Sequence, residues 1–122
     1  MELRSINGFD NYLISAFGDI FKIKNGKHIP LKLSNHNRGY LLVNLRLSKN
    51  VQCQKLVHRL VAECFLENPD SLPEVNHKDS DKKNNFKDNL EWCTRLENVK
   101  HSVNSGTFKI NKKKSLALAK GL

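Results

Sequence analysis

Residues 74–101, EVNHKDSDKKNNFKDNLEWCTRLENVKH, contain the pattern that decides the fold. We interpret residues 74–77 and 90–94 as two short strands that flank a polar segment. That segment, residues 78–88, carries four lysines, three aspartates and two asparagines and is predicted to be a loop. A helix is predicted to follow over residues 95–104. The stretch therefore predicts the order strand, loop, strand, helix.

Three polar residues stand at the junctions of this pattern. His77 ends the first strand, Asn89 precedes the second, and Asn98 lies on the helix. Hydrolysis of a phosphodiester needs a base, a divalent cation and a group that fixes the base. Imidazole titrates near neutral pH, and a side-chain oxygen can bind Mg²⁺. The three residues are thus candidates for this chemistry.

A helix is also predicted directly before the pattern. Apolar residues recur at helical spacing over residues 56–66, and Asn68-Pro69 ends the run. The first half of the chain has strand character instead. Strands are predicted at residues 12–15, 19–24, 27–33, 39–47 and 51–55, with a hairpin turn at Asn25-Gly26 and a polar loop at residues 34–38.

Alternation along residues 39–47 predicts which side chains enter the core. Leu41, Val43, Leu45 and Leu47 would share one buried face. Phe65 and Trp92 are expected to pack with them. These apolar residues are interpreted as core and not as a surface for stacking bases.

Composition limits the class of protein. The 122 residues suffice for one compact domain or two small modules that share a core. The content of 39% hydrophobic and 27% charged residues is typical of a globular protein. No apolar run is long enough to cross a membrane, and no secretory signal is expected after Met1. The three cysteines form no C-x₂-C pair, which argues against structural zinc and for a reducing compartment.

Charge is distributed unevenly around a net value of +9. Residues 1–60 hold ten basic and three acidic residues, and residues 100–122 hold six lysines and no acid. The centre, residues 61–99, holds five basic and nine acidic residues. Basic flanks favour a nucleic-acid partner. Candidate contacts with the nucleic-acid backbone are Arg38, Arg46, Lys49, Arg59, Lys112, Lys113 and Lys114.

The segment of residues 74–101 resembles the HNH endonucleases of the homing and phage-borne branch. VHRLVAECF, residues 57–65, is similar to the helix that precedes the motif in that branch. Residues 12–33 and GYLLVNLRL, residues 39–47, look like a nuclease-associated module that often lies ahead of it. The resemblance covers about residues 10–104. It implies an α+β fold in which a small β-rich N-terminal module leads into a ββα-metal (HNH) core. The expected domains are residues 1–52, the module, residues 53–105, the core, and residues 106–122, a basic tail.

The resemblance also implies roles for individual residues. His77 would be the general base, and Asn89 would tie the loop so that His77 keeps its orientation. Asn76 and Asn98 would be the metal ligands, for Mg²⁺ or Mn²⁺. Active members of the branch can have Asp at the position of Asn76, and a neutral amide is a weaker ligand than a carboxylate. Asp79 and the nearby Asp81 are candidates to compensate.

The expected function is therefore that of a metal-dependent HNH endonuclease that cuts double-stranded DNA. A monomer would nick one strand, and a homodimer would cut both. The setting implied is the cytoplasm of a bacterial host, with a phage or mobile element as the source. The alternative is a non-cleaving DNA-binding protein on a degenerate HNH scaffold, which the neutral Asn76 favours. A protein acting on structured RNA is a third reading of the charge.

Overall fold

The computed structural model describes residues 2–105, which contain nine strands and two helices. The first sheet comprises β1 (Leu3–Ile6), β2 (Phe9–Ser15), β3 (Ile20–Lys24) and β4 (Lys27–Pro30). The second comprises β5 (Ser34–Asn35), β6 (Leu41–Ser48) and β7 (Val51–Leu56). Helix α1 (Val57–Phe65), the hairpin of β8 (Glu74–His77) and β9 (Leu90–Cys93), and helix α2 (Arg95–Ser105) follow.

The first sheet is an antiparallel meander in the order β1-β2-β3-β4. The predicted turn at Asn25-Gly26 is confirmed, with positive φ angles of 52° and 73°. Two consecutive residues in the left-handed region match the twist of an antiparallel hairpin. Strand β1 was not predicted, because four residues with two apolar side chains, Leu3 and Ile6, carry too little pattern to identify a strand.

The second sheet differs from the prediction at two places. Ser34 and Asn35, predicted within a loop, form β5 and pair with Leu42 and Leu41. Val43 and Leu45 are buried as predicted, but Leu47 is 57% exposed. The pairing register shifts between Arg46 and Ser48, so the alternation that would bury Leu47 is broken at the end of the strand.

Helix α1 joins the sheets to the hairpin through one core. Its residues Val57, Leu60, Val61 and Ala62 are buried, in agreement with the predicted helical period. They belong to a single cluster of buried apolar side chains from the first sheet, β6, β8 and β9, whose members include Ile6, Ile14, Ile20, Val43, Leu45, Val75 and Leu90. The division into modules remains a prediction, while the core is continuous across the described residues.

The C-terminal part has the predicted order of strand, loop, strand and helix. Strands β8 and β9 are antiparallel, with Asn76 opposite Glu91 and His77 opposite Leu90. A short 3-10 helix, Lys87–Asn89, interrupts the predicted loop. Neither helix among residues 2–105 has the length and apolar character that a membrane crossing needs. The predicted tail of residues 106–122, with Lys112, Lys113 and Lys114, lies outside the described residues.

Candidate active site

His77 occupies a nearly buried position at the end of β8. Its side chain is 5% exposed, and its Nε2 lies 2.8 Å from Oδ1 of Asn85, which is itself 3% exposed. An amide oxygen only accepts hydrogen bonds, so this pair places the imidazole hydrogen on Nε2. The lone pair is then on Nδ1, which has no hydrogen-bond partner among residues 2–105. The arrangement leaves one basic nitrogen available.

Two aromatic side chains pack beside this imidazole. The ring centroid of His58 lies 5.0 Å from that of His77, and Tyr40 stacks on His58 at 4.9 Å. Nδ1 of His58 is buried without a partner among residues 2–105. Neither the contact of His58 with His77 nor the presence of Tyr40 beside them was predicted from the sequence. The only available signal was that both residues are adjacent to predicted core positions.

Burial keeps both histidines neutral. Burial first, and then the neighbouring His77 and Arg59, lowers the pKa of His58 to about 3. Burial also lowers the pKa of His77, opposed by the hydrogen bond with Asn85 and by two nearby aspartates. A buried imidazole loses hydration that would stabilise its charged form. At neutral pH, His77 is thus able to accept a proton.

Asn89 closes the loop that follows His77. Its Oδ1 accepts a hydrogen bond from the backbone N–H of Asp79 at 3.1 Å. Its Nδ2 donates to Oδ1 of Asp79 and to the carbonyl of Asn84, both at 2.9 Å. Its own carbonyl accepts from the backbone of Lys78 at 2.8 Å. Asn89 therefore holds the loop, and Asn85, which sequence reasoning missed, is the residue that hydrogen-bonds to the imidazole.

Both carboxylate oxygens of Asp79 accept hydrogen bonds within the same loop. Its Oδ2 accepts from Asn84, and its Oδ1 accepts from Asn89 and from the backbone N–H of Asp81. These bonds lower the pKa of Asp79, with the Asn84 bond the largest cause. Oδ1 of Asp81 accepts from the backbone of Lys83 at 3.0 Å. Both oxygens of Asp79 are thus committed to loop structure, which weakens its candidacy as a compensating metal ligand.

The two asparagines predicted as metal ligands lie on packed elements. Asn76 is 6% exposed on β8, and its Nδ2 donates to Oε1 of Glu91 at 2.9 Å. Asn98 is half-buried on α2, which packs against β8. Thr94 and Glu97 fix the start of α2 through a reciprocal pair of bonds, Glu97 N to Thr94 Oγ1 and Thr94 N to Glu97 Oε1.

The donor chemistry of these asparagines fits a hard cation. Amide oxygens suit Mg²⁺ and Mn²⁺, whereas zinc favours nitrogen and sulfur donors. No group of three or more His, Cys, Asp or Glu side chains gathers within the described part of the chain. Oδ1 of Asn76 accepts no hydrogen bond among residues 2–105. The buried side-chain atoms without a hydrogen-bond partner among the described residues are Nδ1 of His58 and Nε1 of Trp92, and Oδ1 of Asn76 is not one of them.

The turn between β2 and β3 of the first sheet packs against the loop between β8 and β9. Gly18, in the turn between β2 and β3, has a φ of +89°, and a Cβ there would lie 3.1 Å from Cβ of Asn85 and from Cγ1 of Val57. The backbone N–H of Lys87 donates to the carbonyl of Ala16 at 2.8 Å. The rings of Phe17 and Phe86 stack at 4.7 Å. The turn of residues 15–19 is thus packed against the residues that hold His77.

The predicted DNA contacts fall into two groups. Arg38, Arg46 and Lys49 are exposed, the last two near the turn between β6 and β7. Arg59 differs, because its guanidinium donates to the carbonyl of Pro73 at 2.9 Å and lies 5.7 Å from the ring centre of Trp92. This hydrogen bond connects Arg59 to the segment directly before β8. A contact of Arg59 with DNA remains a prediction.

Comparison with known proteins places this geometry in a family. Residues 55–100 match a family model described as HNH endonuclease. DNA endonuclease I-HmuI of Bacillus phage SP01 is 36% identical over 122 residues, covering 98% of this chain and 68% of the relative. The chain belongs to the HNH endonuclease family. A solved structure concerning DNA binding and cleavage by the HNH homing endonuclease I-HmuI matches this HNH protein with a TM-score of 0.78 at 34% identity. That match covers 99% of this chain and 68% of the other.

Further relatives come from viruses. HNH endonuclease L245 of Acanthamoeba polyphaga mimivirus is 42% identical over 98 residues, which is 80% of this chain and 29% of the relative. H-N-H endonuclease F-TflII of Escherichia phage T5 is 34% identical over 102 residues, 80% of this chain and 51% of the relative. The HNH protein thus spans between about a third and two thirds of these relatives. The predicted family and α+β fold with a ββα core are confirmed.

Proposed function

We propose that this HNH protein is a metal-dependent endonuclease that hydrolyses phosphodiester bonds in double-stranded DNA. The observation that carries most weight is the buried His77, whose Nε2 is hydrogen-bonded to Asn85 while Nδ1 has no hydrogen-bond partner among the described side chains. The relatives are named as endonucleases, and one is described as binding and cleaving DNA. The phage origin of two relatives supports action in the cytoplasm of a bacterial host.

His77 would act as the general base. Nδ1 takes a proton from a water molecule, the water oxygen bonds to phosphorus, and the phosphorus–oxygen bond to the leaving group breaks. The Nε2–H bond to Asn85 holds the ring and stabilises the positive charge that develops on it. Asn89 keeps the loop closed behind the ring. Asn76 and Asn98 would hold the divalent cation, which when bound supplies positive charge at the phosphate and leaving oxygen.

The hairpin of β6 and β7 is the proposed DNA-binding surface. Its outward positions form two cross-strand pairs, Asn44 with Gln54 and Arg46 with Gln52, and all four residues are exposed. A two-stranded ribbon fits the major groove of B-DNA, where Asn and Gln read adenine and Arg reads guanine. Lys49, exposed at the turn, would contact a phosphate. The pairing of these side-chain types supports duplex DNA over structured RNA, and competition between the two nucleic acids tests this.

The first experiment is cleavage of supercoiled plasmid at low salt by wild type and His77→Ala. The reactions contain Mg²⁺, Mn²⁺ or EDTA, and His28→Ala, an exposed histidine on β4, is the matched control. We expect relaxed or linear product only with metal, retention in His28→Ala, and loss in His77→Ala. Relaxed product alone indicates nicking of one strand, and linear product indicates cuts in both strands. Cleavage unaffected by His77→Ala would contradict the proposed base.

The alternative function is DNA binding without cleavage, and Asn76 is the observation that favours it. Asn76→Asp restores a carboxylate at this position. If the wild-type protein is a nuclease that binds its metal ion weakly, the substitution should lower the Mg²⁺ concentration needed for half-maximal cleavage by about tenfold. Tight DNA binding with no product from wild type or from Asn76→Asp would establish the alternative.

A further inference from the structure

We infer that Glu91 positions Asn76 and supplies the negative charge that residue 76 lacks. This inference rests on the metal site of the proposed function. Asn76 and Glu91 are directly opposite in the antiparallel pair of β8 and β9, so their side chains are neighbours on one face. The hydrogen bond from Nδ2 of Asn76 to Oε1 of Glu91 measures 2.9 Å. Among residues 2–105, this is the hydrogen bond that fixes the Asn76 amide.

The hydrogen bond that Nδ2 of Asn76 donates to Glu91 also determines the direction of the Asn76 side-chain oxygen. The oxygen and nitrogen of an amide share one carbon, so a bond that fixes Nδ2 also fixes where Oδ1 points. Asn76 is 6% exposed, which leaves its side chain little freedom. Its Oδ1 accepts no hydrogen bond within the described residues. Glu91 therefore presents the one atom of Asn76 that a cation can use.

The carboxylate also changes the electronic character of that oxygen. A hydrogen bond between an amide N–H and an ionised carboxylate is charge-assisted and polarises the amide towards its oxygen. Groups that bond to metal ligands orient those ligands and tune their basicity, and their loss costs about 10–100-fold in metal affinity. The charge of Glu91 stands one hydrogen bond away from the proposed ligand. The pair Asn76–Glu91 thus substitutes for a single ligating carboxylate.

Two other acids, Asp79 and Glu97, take part in hydrogen bonds of their own. Both oxygens of Asp79 accept hydrogen bonds inside the loop. Oε1 of Glu97 accepts from the backbone of Thr94 at the start of α2. Glu91, an exposed residue of β9, is the acid that contacts the Asn76 amide.

The test measures Mn²⁺ affinity of the full chain by electron paramagnetic resonance at fixed ionic strength, without DNA. Glu91→Gln removes the charge at constant shape, and Glu63→Gln, an exposed glutamate on α1, is the control for loss of one charge. We expect Glu91→Gln to weaken Mn²⁺ binding by about tenfold or more and Glu63→Gln to leave it nearly unchanged. Equal affinity in Glu91→Gln and wild type overturns the inference.

The Glu91→Gln substitution is also made in the Asn76→Asp variant, which separates a positioning role of Glu91 from an effect of its charge alone. Asn76→Asp has no amide to orient, so Glu91→Gln should cost clearly less Mn²⁺ affinity there than with Asn76. The same fold-loss in both backgrounds means that Glu91 acts only as a nearby charge and overturns its positioning role. A Mg²⁺ titration that follows the side-chain NH₂ signal of Asn76 by NMR gives an independent readout. We expect that signal to shift with Mg²⁺ in wild type and to shift far less in Glu91→Gln.

These outcomes are distinguishable from failure of the nuclease. Mn²⁺ binding that depends on Glu91, together with no cleavage of plasmid, supports the inference and rejects the activity. Metal-dependent cleavage with an unchanged affinity in Glu91→Gln rejects the inference alone. Absence of Mn²⁺ binding in wild type rejects both the metal site and the inference.

Discussion

Nε2 of His77 and Oδ1 of Asn85 lie 2.8 Å apart where solvent scarcely reaches either side chain. This pair decides which ring nitrogen carries hydrogen and which keeps its lone pair. It also couples the imidazole to the loop that Asn89 closes and to the turn at Gly18 that packs on Asn85. The state of the histidine is therefore set by residues from two separate parts of the chain, the loop that holds Asn85 and Asn89 and the turn that holds Gly18.

Asn85→Asp should shift the pH dependence of cleavage. A carboxylate facing Nε2 favours imidazolium and raises the pKa of His77, by about one unit or more. The acidic limb of the kcat/KM profile should then move to higher pH, which nicking assays from pH 5 to 9 and an NMR titration of His77 will measure. Asn11→Asp, exposed on β2, adds the same charge elsewhere and should leave both curves in place. Coincident curves for Asn85→Asp and wild type would refute the coupling.

The low pKa of His58 predicts acid-sensitive stability. Its folded-state pKa of about 3 lies below the ordinary value of 6.5. Between these values the unfolded chain binds more protons, so the free energy of unfolding should decrease as pH falls, by at most ~1.4 kcal/mol per pH unit for this group. His77, whose pKa is also lowered, adds in the same direction.

Urea unfolding at pH 7, 6 and 5 measures this slope. His58→Phe keeps an aromatic ring against Tyr40 and removes the titration, so its slope should be smaller than that of wild type. His28→Phe, on the exposed surface of β4, should retain the full slope. An identical slope in all three proteins would show that His58 does not carry the effect.

Gly18→Ala should damage both stability and activity. The substitution forces a Cβ onto a residue with a φ of +89° and places it 3.1 Å from Asn85 and Val57. We expect a loss of about 1–3 kcal/mol in the free energy of unfolding, together with slower cleavage by the folded fraction. Gly8→Ala is a matched control, because Gly8 has a φ of +85° and open space around its Cβ position.

Denaturant unfolding and single-turnover cleavage at a temperature where both variants are folded separate the two contributions. Gly8→Ala should show backbone strain alone and normal cleavage. If Gly18→Ala cleaves at the wild-type rate while folded, the turn supports stability and does not act on His77.

Arg46 and Lys49 should contribute to DNA binding in different ways. Arg46→Ala removes a proposed contact with a base edge and should relax preference at one position of the target, at a cost of about 1–3 kcal/mol. Lys49→Ala should weaken binding to all sequences and reduce the salt slope by about one. Selection from a randomised duplex library and binding isotherms at several salt concentrations measure the two effects. An unchanged target preference in Arg46→Ala would contradict base readout by the ribbon.

Local signals in the sequence account for much of the fold. The Asn25-Gly26 turn, the helical period of α1 and the strand order of β8 and β9 all depend on neighbouring residues, and each is confirmed. Leu47 was assigned to the core because alternation was extended through a shift in register that hydrophobicity does not report. Strand β5 was missed for a related reason, since its pairing uses backbone groups of polar residues.

The site was harder to predict than the fold. His77 could be singled out by its place at a strand end and by the family resemblance. Asn85 could not, because Asn84, Asn85 and Asn89 occupy one polar loop and only its folded path decides which of them reaches the imidazole. The contact of His58 with His77 joins a helix to a strand end 19 positions further along the chain, and no local pattern encodes it.

The turn of residues 15–19 has a consequence for how such genes recombine. A genetic exchange that carried residues 53–105 alone into a new protein would leave behind the carbonyl of Ala16, the ring of Phe17 and the surface of Gly18 that contact Asn85 and its neighbours. The transferred segment would keep every residue of the HNH motif, but it would lose the turn that packs against the loop holding His77. Functional chimaeras should therefore inherit this turn, or a substitute for it, together with the motif.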